Sequence, residues 1–359
     1  MIKALLAWAK RNERWLSSVF FLTGFAGDIA AFTLLEVGIV NLIFAVYLVL
    51  GGSAILLAHY LASHQRGTPN RVTQALLILL PLFIQYEIGA ILSGSLIFYA
   101  KSAALGVSWP FLLLLAVVFF GNELFRSYRD HLAFQTTLFF FGFYAYVIFA
   151  LPLLIGKLGP WVFAASSAIA LGVFLAFLLV LYRVGENRFR KGFAQILVSS
   201  LAIVALMNGA YFTGLIPPLP LGLKEVHIYH LVEKVPGGYR VLAEEGSPWW
   251  EFYKSETVHH VPGAPLYAYS AVFAPIRFST TVVHQWEYLR DGSWQVINRV
   301  SFPVSGGRAE GYRGYSIKAD PEPGRWRVSI KTAEGQTIGR HEFTVREVYT
   351  PPALSEEVK

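Results

Sequence analysis

The hydrophobic and polar positions divide the chain into two halves that meet near Leu215. Before that point, runs of about 20 apolar residues recur between short basic connectors, which is the pattern of helices that cross a bilayer. After it, short segments of alternating polarity are separated by turns rich in Gly, Pro and Asp, a pattern typical of β-strands. The pattern therefore predicts an α-helical transmembrane bundle followed by an all-β domain.

The membrane domain is predicted to occupy residues 1–215. Its first 18 residues are basic and contain Trp at intervals, which predicts an amphipathic stretch on the membrane surface. Seven apolar segments follow and predict seven spans. These spans cover residues 16–35, 38–62, 73–100, 105–125, 132–156, 160–182 and 193–214.

Basic residues are distributed unevenly between the two sides of the predicted bundle. The N-terminus and the second, fourth and sixth connectors hold twelve of them: Lys3, Lys10, Arg11, Arg14, Arg66, Arg71, Arg126, Arg129, Arg183, Arg188, Arg190 and Lys191. The opposite connectors hold only Lys101 and Lys157. By the positive-inside rule, the N-terminus is expected in the cytoplasm, and seven crossings place the C-terminal domain outside a bacterial inner membrane, in the periplasm or the extracellular space.

Three polar residues interrupt the apolar spans. Asp28 lies past the middle of the first span, Glu87 lies near the centre of the third, and Asn208 lies in the last. Alternating span direction places them at similar depth, so we expect a cluster that faces the bundle interior. Ionisable groups in lipid are costly, which makes a proton, ion or ligand site one reading. The other reading is hydrogen bonding between helices, with the carboxyl groups kept neutral by burial.

The second half is predicted to be a β-sandwich of the immunoglobulin type. Pro217, Pro218 and Pro220 predict a stiff linker over 216–224, and the β-domain then covers 225–359. Turns at 290–293 and 333–336 predict two hairpins. Strands are predicted at 225–233, 239–244, 250–258, 266–273, 278–289, 294–304, 311–318, 325–332 and 338–346.

The two-residue period of these strands assigns side chains to faces. The eighth strand is predicted to place one set of side chains in the core, Trp326, Val328 and Ile330, and the other set towards solvent or ligand, Arg325, Arg327, Ser329 and Lys331. His284 and Trp286 share one face of the fifth strand, and Tyr312 lies opposite Arg313 and Tyr315. Stacking rings and cationic donors in this combination suit a carbohydrate or an anionic envelope polymer, so these five residues are the predicted ligand-binding set. Trp249, Trp250 and Trp294 add further rings. The alternative is that Trp286 and Tyr312 fill the core and that Arg313 makes a surface ion pair.

Charge and composition narrow the possible functions. The net charge of +7 belongs to residues 1–215, since residues 216–359 contain 16 basic and 16 acidic side chains. Nucleic acid is therefore not an expected partner of the β-domain. The chain has no Cys, which excludes disulfides and thiolate sites. His227-x-x-His230 and His259-His260 are weak metal candidates that would need a carboxylate partner, so no metal or cofactor is predicted.

Motifs along the chain resemble one bacterial family. They include Gly24-Phe25-Ala26-Gly27-Asp28, the Asn122-Glu123 pair and the Leu151-Pro152 step, then His284-Gln285-Trp286, Tyr312-Arg313-Gly314-Tyr315-Ser316, Gly324-Arg325-Trp326-Arg327-Val328 and Phe343-Thr344-Val345. In this order they resemble the family catalogued as a domain of unknown function, number twenty-nine fourteen. The resemblance implies a bacterial envelope protein with an extracytoplasmic β-domain and carries no established activity.

Three functional hypotheses follow from the residues. The first is a membrane-bound envelope receptor or adaptor whose β-domain binds a glycan or envelope polymer and whose helices meet the bilayer and a protein partner within it. The second is a transporter or channel that uses Asp28 and Glu87. The third is an enzyme, although no P-loop, HExxH or GxSxG motif is present and no catalytic residue is predicted.

Overall fold

The protein is described here by a computed structural model. It describes residues 23, 25–30, 37–65, 70–102, 105–124, 131–244, 256–276, 278–308 and 310–359. The predicted amphipathic stretch, most of the first predicted span, and Trp249 and Trp250 lie outside these residues. The chain divides into two compact units, and the boundary between their main parts lies between Thr213 and Gly214.

The first unit consists of long apolar helices. They are α1 (Val37–Ser63), α2 (Arg71–Ser102), α3 (Leu105–Leu124), α4 (Leu132–Ile155), α5 (Pro160–Val184) and α6 (Glu186–Phe212). Within the described residues, all but α3 are long and apolar enough to cross a membrane by length and composition, which makes five such helices. In α3 the apolar stretch is the shorter Ser108–Asn122. Residues 25–30 of the first predicted span are also helical.

Local sequence signals explain where several of these helices begin and end. Asn70 precedes α2, and its side-chain oxygen accepts a hydrogen bond from the Thr73 amide at 2.8 Å, which is an N-cap. Pro160 opens α5, where its missing amide hydrogen costs nothing. Gly156 follows α4 with a φ of 67°, a left-handed conformation that glycine adopts without strain and that stops a helix.

Large apolar side chains cover the outer surface of these helices. Leu82, Leu179 and Val198 are 64%, 62% and 67% exposed, respectively. In water such a surface would be costly, whereas hydrocarbon solvates it and each helix satisfies its own backbone hydrogen bonds. The exposed surface is therefore that expected of helices in contact with lipid.

The second unit contains eleven strands within the described residues. They are β1 (Gly222–Tyr229), β2 (Leu231–Val235), β3 (Gly238–Glu244), β4 (Glu256–His260), β5 (Pro265–Phe273), β6 (Ser279–Arg290), β7 (Ser293–Ser305), β8 (Tyr312–Ala319), β9 (Gly324–Thr332), β10 (Thr337–Glu347) and β11 (Leu354–Val358). Both predicted hairpins are present. The β6–β7 turn has positive φ at Asp291 and Gly292, which matches the right-handed twist of the strands.

Three sheets organise these strands. A five-stranded sheet has the order β4-β10-β9-β6-β7, a central sheet has the order β1-β5-β8, and a third sheet has the order β11-β3-β2. The five-stranded and central sheets share one hydrophobic core, to which Leu266, Trp286 and Trp326 contribute. These two sheets thus form the expected sandwich.

The third sheet was not anticipated. The strand predicted over 225–233 is interrupted at His230, where the chain leaves the central sheet and enters the third one. Val232 and Val241 of the third sheet pack with Tyr229 and Tyr269 of the central sheet in a second core. The middle strand of the central sheet, β5, is therefore covered on both faces.

The predicted linker is also part of the second unit. Ile216, Leu219 and Leu221 are each no more than 3% exposed, and β1 begins at Gly222, within the range assigned to the linker. The prolines of the predicted stiff linker therefore stand in a buried entry into the β-domain.

Candidate functional site

The strand faces predicted from the two-residue period are observed. Trp286, Trp326, Val328 and Ile330 belong to the sandwich core, while Arg327 lies on the opposite face of β9. The five predicted ligand-binding residues are nevertheless not brought together. They divide among the sandwich core, its margin and the far face of the central sheet.

His284 and Trp286 lie inside the sandwich. Both are 0% exposed. A ring that stacks on a ligand must keep one face accessible, so neither ring is positioned to bind one. The alternative stated for Trp286, that it fills the core, describes both residues.

A buried polar network explains why a histidine is tolerated there. The Nε2 of His284 is 2.8 Å from the Ser270 hydroxyl, and its Nδ1 is 2.9 Å from the Ser316 hydroxyl. The Trp286 indole donates to the same Ser316 oxygen at 2.9 Å. Ser270 and Ser316 belong to the central sheet and His284 to the five-stranded sheet, so these hydrogen bonds join the two layers. Burial lowers the pKa of His284 to about 3, which keeps the ring neutral.

Strand β8 sends its predicted residues in two directions. Tyr312 packs at the margin of the sandwich core, and the Arg308 guanidinium lies 5.2 Å from its ring centroid. Tyr315 packs in the second core, where it is 6.0 Å from Tyr239 between ring centroids. Of the five predicted residues, Arg313 is the one that lines the pocket described next.

Arg313 lines a polar pocket of about 450 Å³ in the β-domain. The lining residues are Lys224, Glu225, Glu310, Arg313, Val358 and Lys359. The Arg313 guanidinium is 3.7 Å from the Glu310 carboxylate, and the Arg313 side chain is only 27% exposed while that of Glu310 is 82% exposed. An ion pair with so exposed a partner is weak, which leaves the Arg313 donors free to exchange partners.

The outer face of the five-stranded sheet carries a second polar cluster. The Glu287 carboxylate accepts two hydrogen bonds from Arg327, both at 2.8 Å, and one from the Ser329 hydroxyl at 2.5 Å. Gln285 also donates to it, at 3.1 Å. Burial alone would raise the pKa of Glu287, but the hydrogen bonds from Arg327 and Ser329 outweigh it and hold the pKa at about 2.

Three further cations surround this cluster. Arg340, Ser329, Gln285 and Arg299 stand in one row across β10, β9, β6 and β7. Lys331 follows Ser329 by two residues and therefore lies on the same face. The two-residue period predicts Lys331 on this face, but it cannot identify Arg299 and Arg340 as its neighbours, because their proximity depends on the order of the strands.

One histidine of each predicted pair contacts the same carboxylate, that of Glu244. Within the described part of the chain, no group of three or more His, Cys, Asp or Glu side chains is arranged to hold a metal ion. Glu244 instead contacts two rings, with His230 at 2.8 Å and His259 at 2.7 Å. Burial opposes ionisation of Glu244, but the hydrogen bonds from both histidines prevail and lower its pKa.

The polar residues predicted within the spans have separate partners. The Ser93 hydroxyl donates to Asp28 at 2.6 Å. Asn208 donates to the Tyr144 hydroxyl at 3.1 Å and to the Val204 carbonyl of its own helix at 2.8 Å. Glu87 is 2% exposed, and its Oε2 has no hydrogen-bond partner among the described residues. Of these three residues, Glu87 is therefore the one with a buried oxygen that no described group satisfies.

The architecture is thus one of long apolar helices followed by a β-sheet domain, and part of that domain has a known relative. Residues 279–345 match the family described as "Protein of unknown function (DUF2914)", which confirms the predicted resemblance for this segment. The match runs from β6 into β10 and includes His284, Trp286 and the cationic cluster.

Other comparisons add little. No curated protein matches the sequence. A β-glucosidase from Listeria innocua in complex with gluconolactone is 10% identical, and the match covers 32% of this chain and 17% of that chain with a TM-score of 0.19. The Pseudomonas fluorescens alkylpurine DNA glycosylase AlkC, bound to DNA containing an abasic site analog, is 12% identical, with 93% and 99% coverage and a TM-score of 0.22. At these TM-scores neither likeness bears on the fold or the activity.

The neutral, buried state of His284 predicts a pH dependence of β-domain stability. The unfolded chain takes up a proton as the pH falls through about 6.5, whereas the folded domain resists until about 3. The stabilisation is therefore complete above pH 6.5 and is lost on acidification, by up to about 1.4 kcal/mol per pH unit. Glu287 does not add to this pH dependence of stability between about pH 5 and 6.5, because its carboxyl group takes up a proton only at lower pH.

This dependence is measured in the full-length protein by hydrogen exchange. The urea concentration at which β6 peptides lose half of their protection is determined at several pH values between 5 and 6.5. In His284→Gln the pH slope should be shallower than in the parent, even though the variant is less stable. An equal slope in the two proteins would show that His284 is not kept neutral by the fold.

Proposed function

We propose that the chain is a membrane-bound envelope receptor or adaptor whose β-domain binds a carbohydrate or anionic envelope polymer at the Arg313 pocket. The observation that carries this proposal is the half-buried Arg313 guanidinium, held against a weak, exposed partner in a pocket of ligand size. An acidic sugar would replace Glu310 with a carboxylate that makes two parallel hydrogen bonds.

The rest of the pocket supports this ligand class. Lys224 and Lys359 add positive charge, while Glu225 offers an acceptor for sugar hydroxyl groups. The strand that carries Arg313 is held in the central sheet by pairing with β5, and the Arg313 backbone oxygen accepts a hydrogen bond from the Tyr239 hydroxyl at 3.5 Å. A polar wall held by a rigid strand suits orientation of a polar ligand better than enclosure of an apolar one.

Binding is expected to depend on Arg313. Full-length protein in nanodiscs of neutral lipid is titrated by calorimetry with a uronic-acid oligosaccharide and with a neutral oligosaccharide of equal length. Arg313→Ala should weaken binding of the acidic sugar by at least about tenfold, the cost of one charged hydrogen-bonding partner. Arg346→Ala, which removes an exposed arginine from β10, is the matched control and should bind normally. Equal binding by both variants would exclude this pocket as the site.

We further propose the orientation and fold of this receptor. Seven spans place the N-terminus in the cytoplasm and the β-domain in the periplasm or outside the cell, and the twelve-to-two distribution of basic residues supports this arrangement. The sandwich of the five-stranded and central sheets supports an immunoglobulin-like ancestry for the domain. The helices then serve as anchor and as a contact surface for a membrane protein partner.

The orientation predicts the behaviour of reporter fusions. Alkaline phosphatase, which is active only outside the cytoplasm, should be active when fused after Lys359 and inactive when fused after Gly185, in the connector between α5 and α6. A fluorescent protein that matures only in the cytoplasm should show the reverse. Cytoplasmic activity of the fusion after Lys359 would mean that the number of spans is even.

A transporter or channel is the second candidate, and Glu87 supports it. A carboxylate oxygen that is buried in a helical bundle without a partner is costly, and proton or cation binding is one function that retains such a group. Gly51 packs against the Glu87 side chain. A Cβ atom at position 51 would lie 3.4 Å from the Cβ of Glu87, so the space beside the Glu87 side chain is limited.

Replacement of Glu87 tests this candidate. Glu87→Gln keeps the shape of the side chain and removes its charge, so the protein should accumulate normally. If the chain transports protons, potassium-driven acidification of proteoliposomes should fall by at least about tenfold in Glu87→Gln. Tyr86→Phe alters a neighbour that is 63% exposed and is the matched control. Equal flux in the parent, the variant and protein-free liposomes would exclude proton transport.

A further inference from the structure

The outer face of the five-stranded sheet concentrates positive charge. Six cations stand on the solvent-facing positions of its strands against two carboxylates, those of Glu287 and Glu342. The cations are Arg299, Arg325, Arg327, Lys331, Arg340 and Arg346. The domain as a whole contains equal numbers of basic and acidic residues, so this excess reflects segregation of charge onto one face.

Internal pairing neutralises two of the six cations. Arg327 binds Glu287, which is 5% exposed, through two hydrogen bonds. Arg325 lies 3.5 Å from Glu342. Arg299, Lys331 and Arg340 make no salt bridge within the described residues, and the Arg299 guanidinium donates to the neutral Gln285 at 2.9 Å. Arg346 lies six residues from Arg340 along β10, so three cations remain around a single row of the sheet.

Lys331 lies two residues along β9 from Ser329, which belongs to the row that contains both arginines. Burial lowers the pKa of Lys331. Glu287 offsets part of this effect, and repulsion from Arg340 and Arg299 lowers the pKa further. Beneath the cations, Gln285 and Ser329 are 4% and 0% exposed and belong to the hydrogen-bonded base of the cluster, so the platform is ordered.

We propose that Arg299, Lys331 and Arg340 form a binding site for a soluble phosphoryl group on the outer face of the five-stranded sheet. A phosphate dianion compensates more of three unpaired charges than a single carboxylate does. Its oxygens accept hydrogen bonds from guanidinium forks and from an ammonium point charge at the same time. The site lies on a different sheet from the Arg313 pocket and does not depend on it.

The probe is inorganic phosphate, added to full-length protein in nanodiscs of neutral lipid at constant ionic strength. Phosphate should bind saturably by calorimetry and raise the unfolding temperature of the β-domain with the logarithm of its concentration. Lys331→Gln and Arg340→Gln should each weaken binding by about tenfold or more. Because each removes a source of repulsion, the unliganded variants should be as stable as the parent or more stable. Lys234→Gln, an exposed lysine on β2, is the control.

Several outcomes would overturn the proposal. One is the absence of saturable binding, and another is an unchanged phosphate response in Lys331→Gln. A third is equal stabilisation by chloride or acetate, which would show screening only. Stabilisation by phosphatidic acid in the nanodisc without any effect of inorganic phosphate would indicate a lipid surface as the occupant. Arg313→Ala should leave the phosphate response intact, so failure here and failure of the glycan hypothesis are distinguishable.

Discussion

Burial of β5, the middle strand of the central sheet, on both faces is the constraint on which the β-domain depends. In β5, Leu266, Ala268 and Val272 face the sandwich core, while Tyr269 faces the second core. A strand enclosed in this way has no solvent face, so polar and apolar residues do not alternate along it. The other two sheets are positioned by this one, and each of them keeps one outer face for water or ligands.

Enclosure also determines how polar groups are used. Inside the sandwich, the His284 ring forms hydrogen bonds with two serine hydroxyls, which offsets the free-energy cost of burying these groups. Because the serines belong to the other sheet, the same hydrogen bonds fix the alignment of the two layers. On the outer face, Glu287 has four hydrogen bonds and organises the side chains around it. The first cluster is closed to solutes, whereas the second leaves cations unpaired at its edge. The His284 and Glu287 clusters both consist of hydrogen-bonded polar side chains, yet only the Glu287 cluster lies where a solute can reach it.

Local features can be predicted well from the sequence pattern, whereas contacts between residues on distant strands cannot. The two-residue period places Trp326 and Val328 in the core and Lys331 outside, and the Asp291-Gly292 turn identifies a hairpin. The same period puts His284 beside Trp286 but cannot show that Ser270 and Ser316, on another sheet, receive its hydrogen bonds. The third sheet escapes prediction because β2 continues the pattern of β1 and because β11 is a short, mostly polar strand. Arg299 and Arg340 become neighbours only through the strand order.

That strand order has a consequence for biogenesis. Glu244 of β3 pairs with Leu354 of β11, and Glu256 of β4 pairs with Phe343 of β10, so two early strands wait for partners that are synthesised much later. Pairings between such distant segments slow folding, because a long loop must close before any contact compensates for it. Until then the edges of β3 and β4 are open to other chains. A nascent domain of this topology is therefore a natural client for a chaperone that shields strand edges until synthesis is complete.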